Sequence, residues 1–229
     1  MPVHLNTRNI FFIRHGQSES NTHTELAAGP NYDSPLTELG KQQAKELGKR
    51  FKNENITFDL LFTSELSRAI ETSEIFLASS SNDEIKIKRS KQLNELQIPG
   101  WRGKKRVEVM TPEVEILWGK NGKLYSPDDG ESEYEVQKRF SNYIDQEILF
   151  KTEVQNINRR INIAVVTHGW ALRCYFQYIL EFDQSYIRKM QMDNTSITQF
   201  KFNSEGWRLI RLNDSSHLDK LDKETARYK

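Results

Sequence analysis

The sequence predicts an α/β fold: a three-layer sandwich in which a central, mostly parallel sheet is flanked by helices. Three observations carry this. Compact apolar runs at 9–13, 58–62 and 161–167 alternate with segments of helical periodicity, as expected for strands buried on both faces between helices. The first and last of these runs each lead into a His-Gly pair, His15-Gly16 and His168-Gly169. Residues 196–202 and 207–212 alternate apolar and polar around Asn203-Ser-Glu-Gly206, which is a hairpin signal.

The elements follow in order. The run Asn9 to Ile13 lacks the long apolar stretch and small-residue cleavage site of a secretion signal, and is a core strand. Thr37 is an N-cap, and Gly40, Ala44, Leu47 and Phe51 form one stripe of the helix behind it. Residues 58–62 are the second strand; 65–78 are a helix with Leu66, Ile70 and Leu77 inward; 85–88 (IKIK) are a short edge strand. Residues 97–130 are an irregular insertion, rich in glycine, with the basic run Arg102-Gly-Lys104-Lys105-Arg106 and at most one helix near 112–118. A long helix is expected over 131–150, with Val136, Phe140, Tyr143 and Ile144 on one stripe. After the strand at 161–167 comes a helix over 171–180, then the hairpin. The polar tail from Asp214 to Lys229 frays, with Leu218 as its docking residue. No repeat or linker divides the 229 residues, so they form a single domain.

Composition excludes several classes. Lys and Arg number 33 against 32 Asp and Glu, a net charge of +1, which gives no global basic field for nucleic acid or an anionic membrane. No segment approaches the roughly 20 apolar residues of a bilayer span. The single Cys174 fits a reducing cytoplasm and leaves no cysteine-rich metal site. The pattern does not specify an oligomeric state.

In open α/β sheets, ligands bind outside the carboxyl ends of the strands. His15 and His168 are therefore delivered to one rim. Arg68, in the first turn of the helix after 58–62, starts at the same rim, and Arg14 lies beside His15. Two guanidiniums and two imidazoles repel one another unless an anion lies between them, and guanidinium forks match phosphate oxygens. The chemistry implied is phosphoryl binding and transfer.

Arg14-His15-Gly16-Gln17-Ser18-Glu19-Ser20-Asn21, the 34–40 block SPLTELG, the 63–69 block TSELSRA, Leu93-Asn94-Glu95-Leu96, Val166-Thr167-His168-Gly169 and Asn194-Thr195-Ser196 together resemble the histidine phosphatase superfamily, the phosphoglycerate mutase-like family, in family order. The resemblance implies a covalent mechanism with His15 as nucleophile and Arg14, Arg68 and His168 completing the phosphate pocket. Asn21 and the Gly169 N–H resemble further phosphate ligands, and Glu95 the general acid, with Glu131 as a rival. It implies a small phosphorylated substrate, no metal and no cofactor. Mutases of the family typically carry His-Gly-Asn at the second motif and an adjacent Arg pair in the insertion. Here the motif is His168-Gly169-Trp170 and the insertion has no Arg-Arg. These departures favour a metal-independent phosphatase; a phosphoglycerate mutase and a catalytically silent phospho-ligand binder are the alternatives. Trp101, Trp118 and the basic run are a substrate wall or a solubilising loop, and residues 213–218 cover the pocket or form a surface tail.

Overall fold

The computed structural model describes residues 7–219 and 221, apart from 30, 81, 83, 128 and 129. Its regular elements are β1 (Arg8–Arg14), α1 (Glu19–Thr22), α2 (Glu38–Asn53), β2 (Leu60–Thr63), α3 (Ser67–Ala78), β3 (Ile87–Arg89), α4 (Arg106–Val109), α5 (Pro112–Asn121), α6 (Glu133–Ile144), α7 (Thr152–Gln155), β4 (Ile161–Thr167), α8 (Gly169–Leu180), β5 (Ile197–Asn203) and β6 (Gly206–Asp214). The strands form one sheet in the order β3-β2-β4-β1-β5-β6. The first four are parallel, and the β5–β6 hairpin adds antiparallel to β1.

Strand alternation sends the apolar residues of β1 and β4 to two cores. Ile10, Phe12, Ile163 and Val165 pack against Val136, Phe140 and Ile144 of α6 and Leu172 and Phe176 of α8. Phe11, Ile13, Ala164 and Val166 pack against Leu47 and Phe51 of α2 and Ala69 and Phe76 of α3. Because both faces are covered, these strands read as continuous apolar runs. The edge strand lies at 87–89, slightly beyond the expected IKIK, and among the described residues pairs only with β2.

Helix starts follow their caps. The Thr37 hydroxyl accepts the Gly40 N–H at 3.0 Å. The helix expected from Glu65 begins at Ser67, because Asn94 Oδ1 takes the Glu65 N–H and Ser64 Oγ takes the Leu66 N–H, holding the chain extended. The long helix expected over 131–150 is two pieces. A Ser132–Glu135 capping box opens α6, and a π-helical turn follows from Asp145 to Leu149.

The insertion departs most from expectation. Its described residues hold two α-helices, α4 and α5, rather than at most one, because Ile98, Trp101, Val109 and Trp118 bury together as a satellite core that can order short helices of weak intrinsic stability. Leu218 is buried, as expected of the docking residue; residues 222–229 of the tail lie outside the described part. Among the described residues, no helix is long and apolar enough to cross a membrane.

Candidate active site

β1 and β4 are neighbours in parallel register, Arg14 beside Thr167, and the His15 N–H donates to the Thr167 carbonyl at 2.9 Å. The two histidines therefore emerge side by side, with ring centroids 5.0 Å apart. The loop after β1 is pressed onto the start of α2. A Cβ at Gly16 would lie 2.5 Å from the Gly40 carbonyl oxygen, and one at Gly40 would lie 2.0 Å from that of Gln17. Both glycines are required by this close approach.

His15 Nδ1 lies 2.6 Å from the Gly16 carbonyl oxygen. A carbonyl only accepts, so Nδ1 carries the proton and Nε2 holds a lone pair. That lone pair faces Arg68, whose Nε donates to it at 3.2 Å. Arg68 also donates to the Tyr32 carbonyl at 2.9 Å, and Arg14 to the Met192 carbonyl at 2.5 Å. Burial, then Arg68 and Arg14, hold the His15 imidazole well below its ordinary value of 6.5, so it is neutral.

His168 is fixed by a short chain of hydrogen bonds. Asn94 Oδ1 accepts from the Glu65 N–H at 3.0 Å, which sets its amide orientation. Ser64 Oγ must then give its one proton to Asn94 Oδ1, at 2.7 Å. His168 Nε2, 2.8 Å from Ser64 Oγ, is consequently the donor of that pair. His168 Nδ1 is left as a buried lone pair with no hydrogen-bond partner among the described residues. Burial and Arg68 lower this imidazole too. Ser64→Ala leaves the His168 Nε2–H and Asn94 Oδ1 without this partner and should cost about 1–3 kcal/mol, measured by urea unfolding.

The two depressed imidazoles make stability pH-dependent. Below about 6.5 the unfolded chain takes up protons at His15 and His168 that the folded chain does not. Their contribution is therefore complete above that pH and declines as pH falls, by up to about 1.4 kcal/mol per pH unit for each. Unfolding between pH 7.5 and 5.5 should show this slope, reduced by roughly half in His168→Asn.

Glu95 sits against the N-terminus of α8. Oε1 accepts from the Leu96 and Ala171 N–H groups, both at 2.9 Å, and Oε2 from the Trp170 N–H at 3.2 Å. Oε1 has both lone-pair sites filled, so Oε2 is the oxygen left to carry or receive a proton. The Gly169 N–H is the first-turn donor that Glu95 does not take. Glu131 is held elsewhere. Arg139 grips both its oxygens, at 2.8 and 3.0 Å, and also donates to the Gln92 and Glu95 carbonyls, so Arg139 and Glu131 brace the segment that carries Glu95.

Asn21 Oδ1 accepts from the Ser18 N–H, the Ser18 hydroxyl and Asn194 Nδ2, which turns its own amide donors away from them. Asn194 Nδ2 also holds the His15 carbonyl at 2.9 Å. The sequence pattern assigns no role to Ser64, Asn94, Arg139 or Asn194. Ser64, Asn94 and Asn194 fall inside the motif blocks, and Arg139 stands as a charge beside Val136, Phe140 and Tyr143 on the inward stripe.

Arg14, His15, Arg68, Asn21 and Glu95 line a cavity of about 430 Å³. The insertion supplies its outer wall through Trp101, Arg102, Arg106 and Trp118, and half-buried Trp170 lines it too. Lys104 and Lys105 are exposed and do not line it. The 213–218 segment docks elsewhere, with His217 Nε2 3.0 Å from Thr195 Oγ1 and Asp214 paired to Arg50 at 2.5 Å. Among the described residues, no group of three His, Cys, Asp or Glu is placed to hold a metal ion.

The sequence pattern of the histidine phosphatase superfamily (branch 1) matches residues 10–215. The chain belongs to this superfamily. Among its relatives is a 2,3-bisphosphoglycerate-dependent phosphoglycerate mutase of Streptococcus equi subsp. zooepidemicus, 26% identical over 221 residues, covering 86% of this chain and 94% of the mutase. Another is a broad-specificity phosphatase of Saccharomyces cerevisiae, 26% identical over 215 residues, covering 93% of this chain and 88% of the phosphatase. The structure of Bacillus stearothermophilus YhfR superposes with a TM-score of 0.76 at 25% identity, covering 93% of this chain and all of YhfR. Superfamily relatives thus include both phosphatases and mutases, and the fold is phosphoglycerate mutase-like.

Proposed function

We propose that this superfamily member is a metal-independent phosphomonoesterase of a reducing cytoplasm that passes the phosphoryl group first to His15 and then to water. The observation that carries this is the neutral His15, its Nε2 lone pair fixed by the Gly16 carbonyl and flanked by Arg68 and Arg14.

In the first step Nε2 attacks phosphorus, and the bond to the departing ester oxygen breaks as the N–P bond forms. Arg14, Arg68, the Asn21 amide and the Gly169 N–H bind the equatorial oxygens. The incoming dianion favours protonation of His168 at Nδ1, making it a further donor. The proton on Glu95 Oε2 goes to the leaving oxygen. In the second step Glu95 takes a proton from water as the water oxygen attacks phosphorus, the P–N bond breaks, and His15 recovers its lone pair.

Trp170, which lines the cavity in place of the mutases' Asn, and the absence of an Arg pair in the insertion support water as acceptor. The yeast relative's broad-specificity phosphatase activity supports hydrolysis as well; the streptococcal relative supports the mutase as the second reading. Two assays separate them. Phosphate release from p-nitrophenyl phosphate should persist in excess EDTA. 3-Phosphoglycerate with a trace of 2,3-bisphosphoglycerate should yield no 2-phosphoglycerate. Rapid isomerisation with little free phosphate would make the protein a mutase, and activity lost to EDTA and restored by Mg²⁺ would remove metal independence.

A further inference from the structure

The cavity is far larger than a phosphoryl group needs, and its two ends differ in chemistry. Beyond Glu95 the wall turns apolar, through Ile98, Trp101 and Trp118. The indoles of Trp101 and Trp118 are only 6% and 8% exposed and lie 6.0 Å apart. Their planes are tilted by 48° to one another, and together they form an apolar wall where a small hydroxy-acid phosphate has nothing to place.

At the outer end the charge is positive again. The Arg188 guanidinium lies 4.4 Å from the Trp118 ring centroid. Stacking of this kind leaves the in-plane N–H fork available to a carboxylate or phosphate. Among the described residues Arg188 forms no ion pair or hydrogen bond. Glu133 acts on it only through space, and one carboxylate oxygen of Glu133 is taken by Gln184. Arg106, on the same wall, gives its guanidinium to the Leu26 carbonyl at 3.3 Å. Among the described residues Glu95 is the one acidic residue lining the cavity, and it is committed to the proton transfers at His15. The steps at His15 use neither Arg106 nor Arg188.

We propose that the substrate is a phosphomonoester with a bulky apolar body, packed against the wall of Trp101 and Trp118, and a second anionic group received by Arg188 at the outer end. This rests on the placement of the phosphoryl group at His15.

The test measures binding without turnover. His15→Ala protein is titrated calorimetrically with 6-carboxy-2-naphthyl phosphate, the matching 6-carboxamide, and 3-phosphoglycerate. The carboxylate should bind about 10-fold tighter than the carboxamide at low salt, and 3-phosphoglycerate at least about 10-fold weaker than the naphthyl carboxylate. In the double variant with Arg188→Gln, an exposed position, the carboxylate-to-carboxamide ratio should fall toward one. Equal binding of carboxylate and carboxamide, a preference that survives Arg188→Gln, or no binding of either naphthyl compound overturns the proposal. 3-Phosphoglycerate binding as tightly as the naphthyl carboxylate overturns the apolar body. Turnover of p-nitrophenyl phosphate by the wild-type protein is read separately, so these outcomes leave the phosphatase reading to stand or fall on its own assay.

Discussion

His15→Ala should lower phosphomonoester turnover by about 10⁴-fold or more while leaving the fold in place. The size follows from what is lost. In the proposed mechanism Nε2 is the atom that bonds to phosphorus, and water placed in the same cavity would have to attack without the covalent step that splits the reaction in two. Deleting a nucleophile whose partners act as a unit removes most of the rate, because the surviving groups stabilise a transition state that no longer forms efficiently. The fold should tolerate the change. His15 is one of two buried bases whose protonation opposes folding, so the variant should be no less stable than the wild type at mildly acidic pH, as read by circular dichroism on heating. Rapid quenching of wild-type protein with labelled substrate should give an adduct stable to base and labile to acid, mapped to His15. Label on Ser18, or near-normal turnover in His15→Ala, would end the phosphohistidine account.

The parts of this site that the sequence exposes are those tied to backbone periodicity. β1 and β4 are buried on both faces, so their apolar runs stand out, and the residues that follow them fall on the same rim by topology. That places Arg14, His15 and His168. Arg68 is readable because it opens the helix after the next strand, and it donates to His15 Nε2 and to the Tyr32 carbonyl. The bracing groups are not readable in this way. Ser64 meets Asn94 across 30 residues and His168 across 104, and no period or spacing announces such a meeting. Asn194 lies far along the chain from His15 and Asn21, in a loop without regular pattern. The insertion misleads for a related reason. Its glycines and charges read as irregular, while the few large apolar residues that fold it, Trp101, Val109 and Trp118, are too sparse to give a helical stripe and work only by meeting one another. The choice between Glu95 and Glu131 likewise depends on Arg139, which holds Glu131 away from the cavity and braces the backbone of Glu95.

Glu95→Gln should slow hydrolysis of esters with poor leaving groups, such as alkyl phosphates, by about 10²–10⁴-fold. It should slow p-nitrophenyl phosphate far less. In the proposed mechanism the difference comes from the proton that Glu95 Oε2 delivers. An alkoxide leaving from phosphorus must be protonated as the P–O bond breaks, whereas p-nitrophenolate is stable as an anion. The substitution also has a structural consequence set by the backbone around it. A glutamine can keep its oxygen at the Oε1 position, accepting from Leu96 and Ala171, but its NH₂ then faces the Trp170 N–H where Oε2 accepted at 3.2 Å. Two donors meeting at the start of α8 should cost about 1–3 kcal/mol of stability, visible as a lowered urea midpoint. That cost falls on every substrate alike, so the dependence of rate on leaving-group pKa isolates the chemistry. A steeper dependence in Glu95→Gln than in wild type assigns the proton to Glu95. Equal loss for both classes of ester would make Glu95 a positioning residue for the α8 N-terminus, and the acid would have to be sought elsewhere in the cavity.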